Sequence, residues 1–304
     1  MGGAGKPVLL LALAFSIFRA EAVSLSLIPS ADTSLIEIAP TNNNGAQAWL
    51  LSGKIQNDVY RVRALMKFDF GALPTNAIVL SAKVTIEVTR HPGDGLANAP
   101  FGLYRMLRPW GEGDKVAITV PGQGLPASPG EATWRHAFFP TNAWSVPGGA
   151  SGVDFSDIES SFQFIYGTGQ SPYRFESTPE LVADVQGWVN NPQINYGWML
   201  LCDDETTLFT ARRFGSREDP NAPPLLEIEY LVPPRIASTQ RAGSQFQFNF
   251  TTWPGQGYTV EFLDSLSSGA WQTLTNLGLA TNVTPVVITA PVIGPRRFYR
   301  VVSF

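Results

Sequence analysis

The residues of this chain best suited to recognition chemistry are cations and one tyrosine. Arg212 and Arg213 stand side by side between Phe209 and Phe214, and Arg217 follows closely. Lys54, Arg61, Arg63 and Lys67 make a second scatter. A guanidinium can grip a carboxylate through two parallel hydrogen bonds, so such groups suit an acidic polymer built from uronic acids. Adjacent strand residues face opposite ways, so only one of Arg212 and Arg213 can join a given surface cluster. Arg61, Arg63 and Lys67 share a side if no bulge intervenes. Tyr196, between Asn195 and Gly197 at a turn into a strand, suits either stacking on a sugar ring or supporting a core. Ligand contacts are therefore expected from Tyr196, Arg212, Arg213 and Arg217, with Arg63 and Lys54 behind them. The plainer alternative for each cation is a solvated sheet face paired with Asp and Glu.

Catalytic patterns are sparse. The two histidines, His91 and His136, do not form an HExxH pair, and no GxSxG, phosphate loop or dinucleotide glycine motif occurs. Sugar hydrolysis needs two carboxylates at a set separation, and Glu112, Asp114 and Glu131 are the nearest candidates, with Glu218 as a further partner. No cofactor is implied. A structural calcium is left open at Asp203-Asp204-Glu205 or at Asp154 and Asp157, because these offer oxygen ligands. Cys202 is the single cysteine and sits in an apolar run, which reads as a buried small hydrophobe with no disulfide partner in the chain.

The first residues read as an export signal over 1–22. Lys6 is basic, 7–18 (PVLLLALAFSIF) is an apolar run too short to span a bilayer, and Ala20-Glu21-Ala22 presents small residues to a peptidase. The mature chain is then expected to start at Val23 and to be secreted, with no membrane span. Formal charge is −4 for the 304 residues. Removing Lys6, Arg19 and Glu21 leaves 19 basic residues (21 less 2) and 24 acidic (25 less 1), or −5. That balance argues against nucleic acid as a partner.

The elements that must position these groups are strands. Leu80, Ala82, Val84, Ile86 and Val88 alternate with polar residues, as do Ala64, Met66, Phe68 and Phe70, and Leu226, Ile228 and Tyr230. Stretches rich in Gly, Pro and Asn at 41–45, 91–100 and 121–130 separate such runs, which together predict an all-β jelly-roll sandwich. One helix is predicted, with Thr178 as cap, Pro179 at its first position, and Leu181, Val185, Trp188 and Val189 on one face. Residues 232–235 read as a Pro-rich linker. Beyond it, 236–304 alternates again (Phe246, Phe248, Phe250; Tyr258, Val260, Phe262) and predicts a smaller immunoglobulin- or fibronectin-like sandwich.

Five segments carry a family resemblance: RALMKFDF (63–70), ATWRHAFFPTNAW (132–144), NYGWMLL (195–201), FGSRE (214–218) and LLEIEY (225–230). With Asp32-Thr33, the 42–45 turn, Leu73-Pro74, Ser81-Ala82, Trp110-Gly111-Glu112, Gly148-Gly149 and Trp188, they resemble the DNRLRE domain, also classed as carbohydrate-binding module family ninety-six. The resemblance spans about 28–231. It implies a jelly-roll module of exported bacterial proteins, often attached to polysaccharide-degrading enzymes, with an alginate-like ligand for some members. No catalytic domain is expected beside the module within these 304 residues, and the 91–100 and 121–130 loops are expected to reshape any groove. Residues 236–304 resemble the small β-domains that end many exported bacterial proteins, and would offer an envelope or protein partner a place to attach. The expectation is a non-catalytic polysaccharide binder in 23–231. The alternatives are an adhesive envelope protein with a large exposed apolar patch, and an enzyme with two of Glu112, Asp114, Glu131 and Glu218 facing each other in a cleft.

Overall fold

The computed structural model describes residues 22–55, 60–93, 96–118, 122–267, 269–294 and 296–304. The export signal read at 1–22 lies, apart from Ala22, outside the described residues. The chain is all-β and forms two compact units. One comprises 24–75 and 79–229, and the other comprises 230–304 with short pieces around 23 and 76–78.

The larger unit is a sandwich. One sheet runs in the order Phe155–Ile165, Ala99–Met106, Trp198–Cys202, Arg61–Phe68, Trp49–Lys54, Arg212–Gly215 and Val88–Arg90, with Pro29–Ile36 also paired to Arg61–Phe68. The other runs Val23–Leu27, Leu225–Leu231, Ile78–Ile86 and Tyr173–Phe175. The Arg61–Phe68 strand is central, with Leu65 opposite Thr33 on one side and Met199 on the other.

Alternation along this strand predicts one buried face, yet residues 62–66 are all buried. On one side Phe68 meets Trp198 edge-on at 5.9 Å, and Trp198 meets Trp188 at 4.5 Å. On the other, Leu35, Leu65 and Met199 pack against Ala132, Trp134, Ala137 and Trp144. The long segment between Met106 and Phe155 therefore folds back as an aromatic layer over the sheet.

The helix Pro179–Asn190 follows its sequence signals closely. The Thr178 hydroxyl accepts from the Leu181 amide at 3.0 Å, satisfying a donor that the first turn leaves free. Leu181, Val185, Trp188 and Val189 form its buried face.

Leu80 departs from the predicted inward row. It is 46 % exposed while Val79 is buried, because the inward phase slips between 79 and 82. Val88 departs differently: the chain leaves one sheet after Ile86 and enters the other at Val88, opposite Phe214.

The smaller unit stacks two three-stranded sheets. These are Ser238–Ala242, Gln245–Thr252 and Thr284–Pro291, and Gln272–Leu279, Gly257–Leu263 and Phe298–Ser303. Phe248, Phe250, Tyr258, Val260, Ile288 and Val301 fill the space between them. Among the described residues no helix is long and apolar enough to cross a membrane.

Candidate functional site

The paired arginines separate as strand parity requires. Arg212 points inward beside Phe214, and is 1 % exposed. Its Nε donates to the Tyr166 carbonyl at 2.5 Å. Nη1 donates to Phe209, Thr210 and Ala211 at 3.0, 2.8 and 3.2 Å, and Nη2 to Ile165 at 3.2 Å and to Ala97. Burial pushes its pKa down to about 10, which leaves it charged at neutral pH. The expectation that Arg212 touches ligand is corrected: every nitrogen is spent on backbone carbonyls that close three chain segments together.

Arg213 faces outward. Its guanidinium lies 4.1 Å from the Trp49 ring centroid and belongs to a residue directly opposite Arg90 on the neighbouring strand. Partial burial and the Arg90 charge both lower its pKa. Among the described residues neither Arg213 nor Arg90 has a carboxylate partner. Arg90 was not singled out from the sequence. Only the strand pairing brings it to Arg213.

Arg63 is a second correction. It is 7 % exposed, grips Glu205 through Nε and Nη2 at 2.8 and 2.7 Å, and donates through Nη1 to the Gly148 and Gly149 carbonyls at 2.8 and 3.0 Å. It also sits over Trp134, so it anchors the aromatic layer. Arg61 pairs with Glu37 at 2.7 Å. Lys54 is half-buried, and its amide donates to Thr210 Oγ1 at 2.9 Å. Its register partner is Arg61, away from Arg213.

Tyr196 packs against the aromatic layer, and its carbonyl accepts from Trp110 Nε1 at 2.8 Å. The turn around it is held by Asn195, whose Nδ2 donates to the Phe68 carbonyl at 2.7 Å, and by Gly197 at φ +75°.

Arg217 is ion-paired on both sides. Its Nε lies 2.5 Å from Glu112 Oε1 and 2.8 Å from Glu218 Oε1. Its backbone N–H donates to Asp32 Oδ2 at 2.7 Å, and the Asp32 N–H donates to Glu112 Oε1 at 2.8 Å. Burial holds the Asp32 carboxyl well above the usual range, with the Glu218 and Glu112 charges adding to it and the hydrogen bond from the Arg217 amide opposing it. Burial also raises Glu112. Glu112 and Glu218 thus approach as closely as an enzyme pair would, but they share one guanidinium. Glu131 is tied to Lys115 at 2.9 Å and to the Ser128 amide at 2.7 Å.

Four of the carboxylates considered for calcium, Asp154, Asp203, Asp204 and Glu205, are engaged elsewhere, and Asp157 is exposed on its strand. Asp154 accepts from the Ser145 amide and hydroxyl, from the Ala150 amide at 2.8 Å and from Arg108 at 3.0 Å. Burial alone would raise its pKa, and these donors together hold it below the usual value. Asp203 takes the Tyr104 hydroxyl at 2.7 Å, Asp204 caps the turn at Thr206 and Thr207, and Glu205 holds Arg63. Cys202 is buried, and burial pushes its thiol up to about 11.

A cavity of about 570 Å³ opens beside the Phe155–Ile165 strand, lined by Asn98, Gln163, Phe164, Tyr166 and Gln170 among others. None of the expected ligand residues lines it, and its walls carry no formal charge. No family model matches the chain, and no curated protein is significantly similar to it.

Proposed function

We propose that this chain is a secreted, non-catalytic polysaccharide-binding protein of the DNRLRE kind, and that its ligand is an acidic, alginate-like polymer. The observation that carries the reading is the Arg213–Arg90 pair. Two guanidinium groups held opposite each other repel, and like charges across a strand pair cost stability. A carboxylate-bearing chain laid across them removes that cost. Trp49 holds the Arg213 plane in place, so less side-chain freedom is lost on binding. The smaller unit serves as an attachment module for an envelope or protein partner.

Retention of the full chain on polyuronate and neutral polysaccharide gels tests this. The expected result is retention on the polyuronate at low salt, lost as salt screens the charges, and weakened about tenfold by Arg213→Ala. Equal, salt-independent retention on neutral gels would overturn it.

One observation favours the adhesive reading. The Phe155–Ile165 strand is a sheet edge, and Ile158, Phe162 and Phe164 are 64, 52 and 53 % exposed on it. An open edge with apolar side chains is a template for a partner strand. A Phe162→Lys, Phe164→Lys double variant that abolishes capture of a partner and spares polyuronate retention would establish that second role.

A further inference from the structure

Asp32, Glu112 and Glu218 are far apart in sequence and converge at one place in the larger unit. Each offers a carboxylate oxygen, and the three oxygens lie within 4.8 Å of one another. A calcium ion bonds oxygen at about 2.3–2.6 Å, so a single ion can bridge such a set.

The local charge does not balance. Three carboxylates face one guanidinium, that of Arg217, and the Arg217 side chain gives its hydrogen bonds to Glu112 while pairing with Glu218. Asp32 receives only a backbone N–H, at Oδ2.

Its other oxygen is the second observation. Asp32 is 1 % exposed, and Oδ1 is buried with no hydrogen-bond partner. A carboxylate oxygen taken from water and given no donor is costly, and native folds leave few. Asn44 shows the same deficiency: it is 1 % exposed and neither amide atom has a partner. Its turn belongs to the same walls. Asn43 Nδ2 donates to the Glu112 carbonyl at 2.7 Å, and the Gln47 carbonyl accepts from Ser216 Oγ, which also reaches Glu218 Oε2 at 3.0 Å.

We propose that Asp32, Glu112 and Glu218 form a calcium site that fastens the Pro29–Ile36 strand to the 112 loop and the 216–218 turn. Asp32 Oδ1 is the primary ligand, because it alone of these carboxylate oxygens has no donor. All ligands are hard oxygens contributed by three separate chain segments, which suits calcium, whose larger and more adaptable coordination sphere accepts such a set more readily than the compact octahedron of magnesium. Arg217 has a side chain 37 % exposed, so it can keep Glu112 and yield Glu218 to the ion. The inference stands apart from polysaccharide binding, since Arg213 and Arg90 take no part in it.

The test is calcium titration of the full chain after chelator treatment, by calorimetry and by thermal unfolding. Binding should raise the melting midpoint by roughly 5 °C or more at a hundredfold excess over Kd. Asp32→Asn should weaken calcium binding at least tenfold, and without calcium it should melt no lower than the wild type, because a buried uncompensated charge has gone. Glu218→Gln, at a more exposed position, decides the matter if Asp32→Asn does not fold. No heat and no shift in the wild type at about 10 mM calcium, well above the weakest module affinities, would overturn the site. So would a shift of equal size in both variants. A magnesium response as strong as the calcium response would overturn the choice of ion.

Discussion

Replacing Arg212 separates a ligand contact from an interior clamp. In Arg212→Met the stem volume is roughly kept, but the carbonyls of Ala97, Ile165, Tyr166, Phe209, Thr210 and Ala211 all lose a charged donor. Hydrogen bonds to a charged group contribute about 1.5–3 kcal/mol each. They are not additive, some of these carbonyls will find water, and removing the guanidinium also removes its own desolvation cost. Crediting half of the six at the lower value gives a loss of roughly 4.5 kcal/mol. For a unit of this size that is a fall in Tm of about 10 °C. Arg212→Lys should recover little, because a compact ammonium with three donors cannot span three segments. Urea unfolding followed by tryptophan fluorescence measures the loss, and polyuronate retention at low temperature should be unchanged in the folded variant. Arg212→Met within about 0.5 kcal/mol of the wild type would refute the clamp. A stable variant that no longer binds would also refute it.

Two further outcomes follow from the same geometry. Asp154 is depressed in the folded state, so the unfolded chain takes up its proton first on acidification, and the stability it contributes is present above the unfolded value and lost as pH falls through the folded one. Urea midpoints should therefore fall below about pH 4 in the wild type, with a shallower fall in Asp154→Asn from a lower starting stability. Gly197→Ala should cost about 2–4 kcal/mol, since φ is +75° and a Cβ would stand 2.1 Å from the Met66 carbonyl. A denaturant midpoint indistinguishable from the wild type would show that this turn relaxes.

Local physics made much of the fold readable. The helix was legible to the residue because its cap, its first-turn proline and its apolar face are all set by neighbours within one or two turns. Strand alternation held where one face is dry, as in Leu226 and Ile228. It failed at Leu65, which faces away from the sandwich interior and is nevertheless fully buried, because the segment that covers it lies 67–79 residues further along the chain. The cations show the same limit more sharply. Parity required Arg212 and Arg213 to part company, but which one turns inward depends on the carbonyls that gather around it. Arg90 carries no local mark at all, and acquires meaning only through its register with Arg213. Asp32 likewise looks like an ordinary strand residue until the 112 loop and the 216–218 turn arrive beside it.

The aromatic layer over the larger sheet has a consequence for how the chain reaches its native state. Leu35, Leu65 and Met199 lie on strands whose outer face residues 132–144 cover in the native state. In any state where that layer is undocked, the sheet offers an apolar surface to other chains, and contacts of such sequence separation form slowly. Refolding yield should therefore fall with protein concentration during the interval before Trp134 and Trp144 dock, which makes this layer the step that governs how much of the protein is recovered.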